Sequence, residues 1–166
     1  MSSGKTLVVE CPTPVLTANS LRTSTNVSLI SAGTERMLVG FGKASYLDKA
    51  RQQPEKVRMV LDKISTDGLS TTLAAVNAKL AQPMPMGYSN VGIVQEIAQN
   101  ISKFKVGDRV VSNGAHADVV VVKKNLCARI PDEVDDESAA FTIVGSIGLQ
   151  GVRLAEPSLG ESFVVI

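Results

Sequence analysis

At 166 residues the chain can bury one core of its own and, at most, a fragment of a second. Its 17 Lys and Arg against 16 Asp and Glu leave a net charge of +1, and with 4% aromatic residues and no Trp it offers neither a basic footprint nor stacking platforms for nucleic acid. No apolar run approaches the ~20 residues that cross a bilayer, so no membrane partner is expected and a soluble, cytoplasmic protein is. Cys11 and Cys127, without CxxC spacing, read as reduced thiols of that compartment rather than as a redox or zinc pair.

In chain order, residues 5–10 read as a first strand, closed by Cys11-Pro12-Thr13-Pro14, whose prolines cannot donate to a ladder. After a polar stretch over 17–25, Val27-Ser28-Leu29-Ile30 is the next strand candidate and delivers Ala32-Gly33-Thr34-Glu35 in a loop at its end. The pattern then turns helical. Val57, Val60, Leu61 and Ile64 stand at i, i+3, i+4 and i+7, Pro54 suits a first helical turn, and Leu73, Val76 and Leu80 repeat the spacing after a break at Asp67-Gly68. Packing against its own core is the ordinary reading of this helical pair, with a lid or a partner surface left open.

Strand signals dominate from 86 to 130. The run Pro83-Met84-Pro85-Met86-Gly87-Tyr88-Ser89-Asn90-Val91-Gly92-Ile93-Val94 and the run Phe104-Lys105-Val106-Gly107-Asp108-Arg109-Val110-Val111 suit strands wrapping a small sheet or barrel. Gly87 and Gly92 mark close backbone approach or positive φ, and Gly107-Asp108 a tight turn. Val119-Val120-Val121-Val122 reads as a strand buried on both faces. Asp135 or Asp136 can cap a helix that runs to Ala155 and is stopped by Pro157; its Gly145, Gly148 and Gly151 cost stability unless another backbone packs against them. Residues 162–166 read as the beginning of a strand.

The two glycine-punctuated runs resemble motifs of the N-terminal, GroES-like domain of medium-chain dehydrogenases/reductases. Ala32-Gly33-Thr34-Glu35 looks like that family's Cys-Gly-Thr/Ser-Asp segment, Gly114-Ala115-His116-Ala117-Asp118 like its G-x-(aromatic)-A-E segment, and Ile130-Pro131-Asp132 like its I-P-D segment. Within the family, residues 28–36 and 87–92 look most like bacterial two-module oxidoreductases, in which a dehydrogenase half is fused to a half resembling glucose-fructose oxidoreductase and inositol dehydrogenase. The fold implied is α+β, mainly β with helices: a GroES-like, partly open β-barrel over 1–134 with a helical-pair insertion over 44–81, a linking helix over 135–156, and the first strand of a truncated Rossmann domain over 157–166. The matching segment in ordinary relatives is much shorter, hence the reading of an insertion. The G-x-G-x-x-G turn that follows that strand in the family does not occur here, which implies a piece of a longer protein.

The resemblance also carries expectations about chemistry. Where the family holds catalytic zinc, this chain has Ala32 for the cysteine and Gly87-Tyr88-Ser89 for the Gly-His-Glu; Ile143 and Val144 stand where a later cysteine is expected, and the four-cysteine structural lobe is missing. Zinc is therefore not expected, and hydrogen-bond donors would have to polarise a carbonyl instead. Thr34 matches the hydroxyl residue that relays the substrate proton in zinc-dependent relatives, although a loop threonine bonding its own backbone fits too. Tyr88 stands in the place of the zinc-binding histidine, where its phenol could donate a proton or simply be a tyrosine with its ring in the core. Ser89 and Glu35 inherit positions near the site, Glu35 with an ion pair to Arg36 as its plainer role. His116, the single histidine, takes a usually aromatic position, which favours packing over base chemistry. Ile147 aligns with a residue near the nicotinamide ring.

The expected function is the substrate-side domain of a zinc-independent NAD(P)-dependent oxidoreductase, inactive as a fragment, using NAD or NADP bound mainly by a domain outside this chain. Its partners would be a small-molecule substrate, a sugar or nucleotide-sugar of polysaccharide assembly by analogy alone, and the remainder of its own polypeptide, with a homo-oligomer left open. The alternative is a non-catalytic GroES-like binding or assembly module that docks through the helices. A co-chaperonin is the weakest reading, since the chain is long for one and its helices have no place there.

Overall fold

The computed structural model describes residues 4–164. Five strands, β1 (Ser20–Ser28), β2 (Asn90–Ile97), β3 (Arg109–Ser112), β4 (Val119–Lys123) and β5 (Cys127–Arg129), form one open antiparallel sheet in the order β4-β1-β2-β3-β5. Six helices accompany them: α1 (Ala32–Lys43), α2 (Tyr46–Gln52), α3 (Pro54–Asp67), α4 (Leu69–Ala81), α5 (Asp136–Ala140) and α6 (Thr142–Ala155). The class is the expected α+β. Two compact units divide the chain, one of residues 1–11 and 31–85 and one of residues 12–30 and 86–166.

In the second unit the sheet carries the core on both faces. One face gathers Leu21, Val94, Phe104, Val110, Val120, Val122 and Cys127; the other gathers Val91, Val111, Ile130, Ala139 and Ala140. Successive strand residues point to opposite faces, so Val110 and Val111 serve different clusters from adjacent positions. The turn before β3 closes on itself: Asp108 Oδ2 accepts from Lys105 N at 2.9 Å, Asp108 N donates to Lys105 O at 3.1 Å, and Gly107 N donates to Val94 O at 2.9 Å.

Several expectations are corrected. The polar stretch over 17–25 is largely strand: β1 is an interior strand, pairs with both β2 and β4, and buries Leu21 and Thr23 completely. Its threonines are β-branched and fit a pleated surface, which outweighs their polarity. The tetravaline run is an edge strand with Val120 and Val122 buried and Val119 and Val121 half-buried, not a strand covered on both faces. Residues 5–10 form no strand; Val8 is fully exposed, and β-branched residues without a ladder partner do not make one. At the other end, residues 162–164 carry no strand, and 165–166 of that expected strand lie outside the described residues.

Four helices rather than two lie between β1 and β2. In the first unit α3 starts at Pro54, and Val57, Val60 and Ile64 are half-buried while Leu61 is exposed. The two helices unseen in the sequence have their own local signals. Ser45 caps α2 by accepting from Asp48 N at 3.2 Å and donating to Asp48 Oδ2 at 2.7 Å. Lys49 Nζ donates to Gly42 O at 3.0 Å, a cation on a carbonyl of the last turn of α1.

The helix expected from 135 to 155 is broken at Phe141. Phe141 N donates back to Ser138 O at 3.2 Å, a tight three-residue closure, and α6 restarts with Gly145 N on Phe141 O at 2.8 Å. The break falls beside Ala140, whose carbonyl accepts the hydroxyl of Ser89 at 2.5 Å. Asp135 is the cap of α5, with Oδ1 accepting from Ser138 N at 2.7 Å, while Asp136 turns to the sheet and accepts from Arg109 and Asn26.

Candidate functional site

Thr34 and Glu35 belong to the first unit, and Tyr88, Ser89, His116 and Ile147 to the second. Ala32-Gly33-Thr34-Glu35 is not a loop but the first turn of α1. Thr34 is exposed there. Glu35 is buried, and its Oε1 accepts from Ser31 N at 3.0 Å while its own amide donates to Ser31 O at 3.0 Å. Its carboxylate thus satisfies an amide just ahead of the helix and lies at the helix's positive end.

Gly87-Tyr88-Ser89 leads into β2, and both of its ends are held. Gly87 has φ +88, and a Cβ there would lie 2.7 Å from ring atoms of His116, so glycine is required twice over. His116 N donates to Met86 O at 2.8 Å. On the other side, Leu29 N donates to Ser89 O at 3.0 Å, and Ser89 is buried with its hydroxyl on Ala140. Tyr88, half-buried, sits between these anchors.

His116 is half-buried, and its Nδ1 shares a hydrogen bond of 2.8 Å with the hydroxyl of Ser28 at the end of β1. The loop that carries it is fastened to the sheet. Asn90 Nδ2 donates to Ala115 O at 3.1 Å and to Thr25 Oγ1 at 2.9 Å, Thr25 Oγ1 donates to Ala117 O at 2.5 Å, and Thr25 N donates to Asp118 O at 2.8 Å. Asn90 is wholly buried and its Oδ1 has no hydrogen-bond partner.

Sequence reasoning missed Ser28, Thr25 and Asn90. The available signal was Asn90 itself, since an amide at the head of an apolar strand is unfavourable unless it has something to bond.

Three groups of the second unit have perturbed ionisation. Asp136 is held below the ordinary carboxylate range, first by the Asn26 amide and then by Arg109, whose Nη2 lies 2.6 Å away. Asp135 is also lowered, by the amide and hydroxyl of Ser138. Burial pushes the Cys127 thiol up to about 11, with Lys103 opposing. These groups hold the scaffold: Asp136 and Arg109 tie α5 to β3, and Cys127 lies in the core.

Among the described residues no three His, Cys, Asp or Glu side chains cluster as a metal would need. For a nicotinamide, the exposed and apolar Ile147 on α6 fits a flat ring face, whereas dinucleotide phosphates have no glycine-rich turn to sit on in this sequence.

Sheet, turn and helix order together are those of a GroES-like fold. The structure aligns over 92% of its length with 41% of the quinone oxidoreductase from Coxiella burnetii, with a TM-score of 0.61 and 18% identity. It aligns over 93% of its length with 38% of a mycobacterial protein solved with NADPH, with a TM-score of 0.51 and 19% identity. By sequence, residues 62–132 match the family described as Alcohol dehydrogenase GroES-like domain. The chain is 33% identical over 84 residues to the highly reducing polyketide synthase dmxL2 of Cryptosporiopsis sp. (strain 8999), covering 48% of this chain and 4% of that one. It is 25% identical over 115 residues to the L-idonate 5-dehydrogenase of Vitis vinifera, covering 51% of this chain and 31% of that one. It therefore spans a minor part of each of these proteins. Among the described residues no helix is long and apolar enough to cross a membrane.

Proposed function

We propose that this chain is the substrate-side part of a zinc-independent NAD(P)-dependent oxidoreductase of the cytoplasm, inactive until joined to a cofactor-binding remainder of its polypeptide. The observation that carries the reading is the segment Gly87-Tyr88-Ser89, fixed at both ends by His116, Leu29 and Ala140 so that one phenol is presented from a rigid backbone. A bound nicotinamide would supply the hydride. The chain's own task is the proton: Tyr88 gives it to the carbonyl oxygen as the C=O π bond breaks and C–H and O–H bonds form, with Thr34 as the second candidate donor. Glu35 holds the turn that carries Thr34, Ser89 fixes the backbone beside Tyr88, and Ile147 would press on the nicotinamide face. The L-idonate 5-dehydrogenase relative supports a sugar-like, polyhydroxylated substrate, in keeping with a sugar or nucleotide-sugar.

Calorimetric titration of NADPH into this chain and into a longer natural protein containing it tests the reading, followed by NADPH-dependent reduction of a panel of keto-sugars. Binding by the longer protein alone is expected. Tyr88→Phe should lower its kcat by roughly 10²-fold, the scale of a lost general acid. Full turnover by both Tyr88→Phe and Thr34→Val would remove these donors from the mechanism. Absence of NADPH binding in both proteins would favour the second reading, a non-catalytic docking module, for which the exposed Leu47, Met59 and Leu61 of the helical unit speak.

A further inference from the structure

We propose that His116 is a positioning residue whose bond to Ser28 sets the attitude of Tyr88. The inference rests on the reading above for the role of Tyr88, but its geometry stands alone. The imidazole lies across the Cα of Gly87, close enough that its Cγ, Nδ1 and Cε1 would each be 2.7 Å from a Cβ. A ring packed on bare backbone can slide or turn unless something fixes its plane. The 2.8 Å bond between Nδ1 and Ser28 Oγ does so.

Both ends of that bond are themselves held. Ser28 is paired in register with Asn90 across β1 and β2. His116 is anchored through its amide on Met86 O, and its loop is tied to β1 and β2 by the bonds of Thr25 and Asn90. With Ser89 pinned from the opposite side, the backbone of Tyr88 is constrained at the residues before and after it, and His116 supplies the first constraint.

A phenylalanine at 116 would fill the same space but could not bond Ser28. This separates positioning by the imidazole nitrogen from simple ring packing. An asparagine places its amide nitrogen where Nδ1 stands and should retain the bond while shedding half the ring.

The chain has two tyrosines and no Trp, so Tyr46→Phe leaves Tyr88 as the sole fluorophore. In that background, His116→Phe and Ser28→Ala are each expected to raise acrylamide quenching of Tyr88 with the far-ultraviolet circular dichroism unchanged, and His116→Asn to restore the parent value. Unchanged quenching in Ser28→Ala overturns the proposal, and that variant decides the matter should His116→Phe fail to fold. In the longer protein, Ser28→Ala should lower kcat roughly ten- to a hundredfold at unchanged KM, the scale of a misplaced reacting group. A wild-type protein without NADPH-dependent turnover would defeat the proposed function, while the fluorescence would still decide the role of His116.

Discussion

Asn90 contributes no apolar surface, yet it is wholly buried at the first position of β2. What keeps it there is a pair of donated bonds, to Ala115 O and Thr25 Oγ1, which fasten the 114–118 loop to the sheet. Asn90→Ala strands the Ala115 carbonyl and removes one partner of Thr25. A loss of ~1–3 kcal/mol is expected, the cost of an unmade buried hydrogen bond, and urea unfolding would measure it. Gly92 is demanding in another way. A Cβ there would collide with the backbone oxygen of Ser24 on β1, so Gly92→Ala should prevent β1 and β2 from pairing and yield insoluble or unfolded protein on expression. Cys127 gives a prediction with a sign. Its folded pKa, about 11, stands above the ordinary 9.0, so the neutral thiol stabilises the fold fully below pH 9 and that contribution is lost as pH rises toward 11. At pH 8 a disulfide reagent should find exposed Cys11 in the native chain and Cys127 only after denaturant is added.

Between elements the decisive joint is α5 on β3. Arg109 donates to Asp136 Oδ1 and to Val134 O, and Asn26 of β1 donates to Asp136 Oδ2. Because these partners lower the folded pKa of Asp136 below its unfolded value near 3.8, the stability they bring is complete above that pH and is lost as pH falls through the depressed folded value. Asp136→Asn should flatten the acid limb of the stability profile below pH 4, as read from thermal midpoints across pH, and leave the alkaline limb alone. Local signals of this kind were legible in the sequence: the Asp135 cap, Pro54 opening α3, the break at Gly68 and the turn at Gly107-Asp108 are each made by residues adjacent in the chain. What was not legible depended on distant partners. Thr23 looks polar until β4 and β2 flank it, Val119 and Val121 look core-like until β4 proves to be an edge, and Ser28 acquires a role only when His116, far along the chain, arrives beside it. The glycine pattern marked Gly87 as a place of close approach or positive φ, and why the glycine is needed lay in the ring placed over it.

At the scale of the whole chain, α6 is the element least accounted for by its own surroundings. Ile147, Leu149, Val152 and Leu154 are between 52% and 75% exposed, and Gly145, Gly148 and Gly151 have nothing within 4 Å of where a side chain would start. Three glycines cost a helix roughly 1 kcal/mol each, a burden out of keeping with an element that only meets water. Apolar side chains this exposed, Leu149 and Val152 on one side of the helix and Ile147 and Leu154 on the other, should bind a hydrophobic dye and promote association. The expected behaviour is therefore bright anilinonaphthalene sulfonate fluorescence from the native chain and concentration-dependent sedimentation, both reduced in the double variant Leu149→Lys, Val152→Lys. Since about half of each side chain already meets solvent, that variant should unfold within a degree or two of the parent. A fall of several degrees would mean that α6 is already buried in solution against something in its own chain. Gly148→Ala separates the two costs further: with open space at its Cβ it should raise helix stability by about 1 kcal/mol in the isolated chain. In a longer protein that set a second backbone against the glycines, the same substitution would instead destabilise, and comparing the two unfolding curves reads the sign directly.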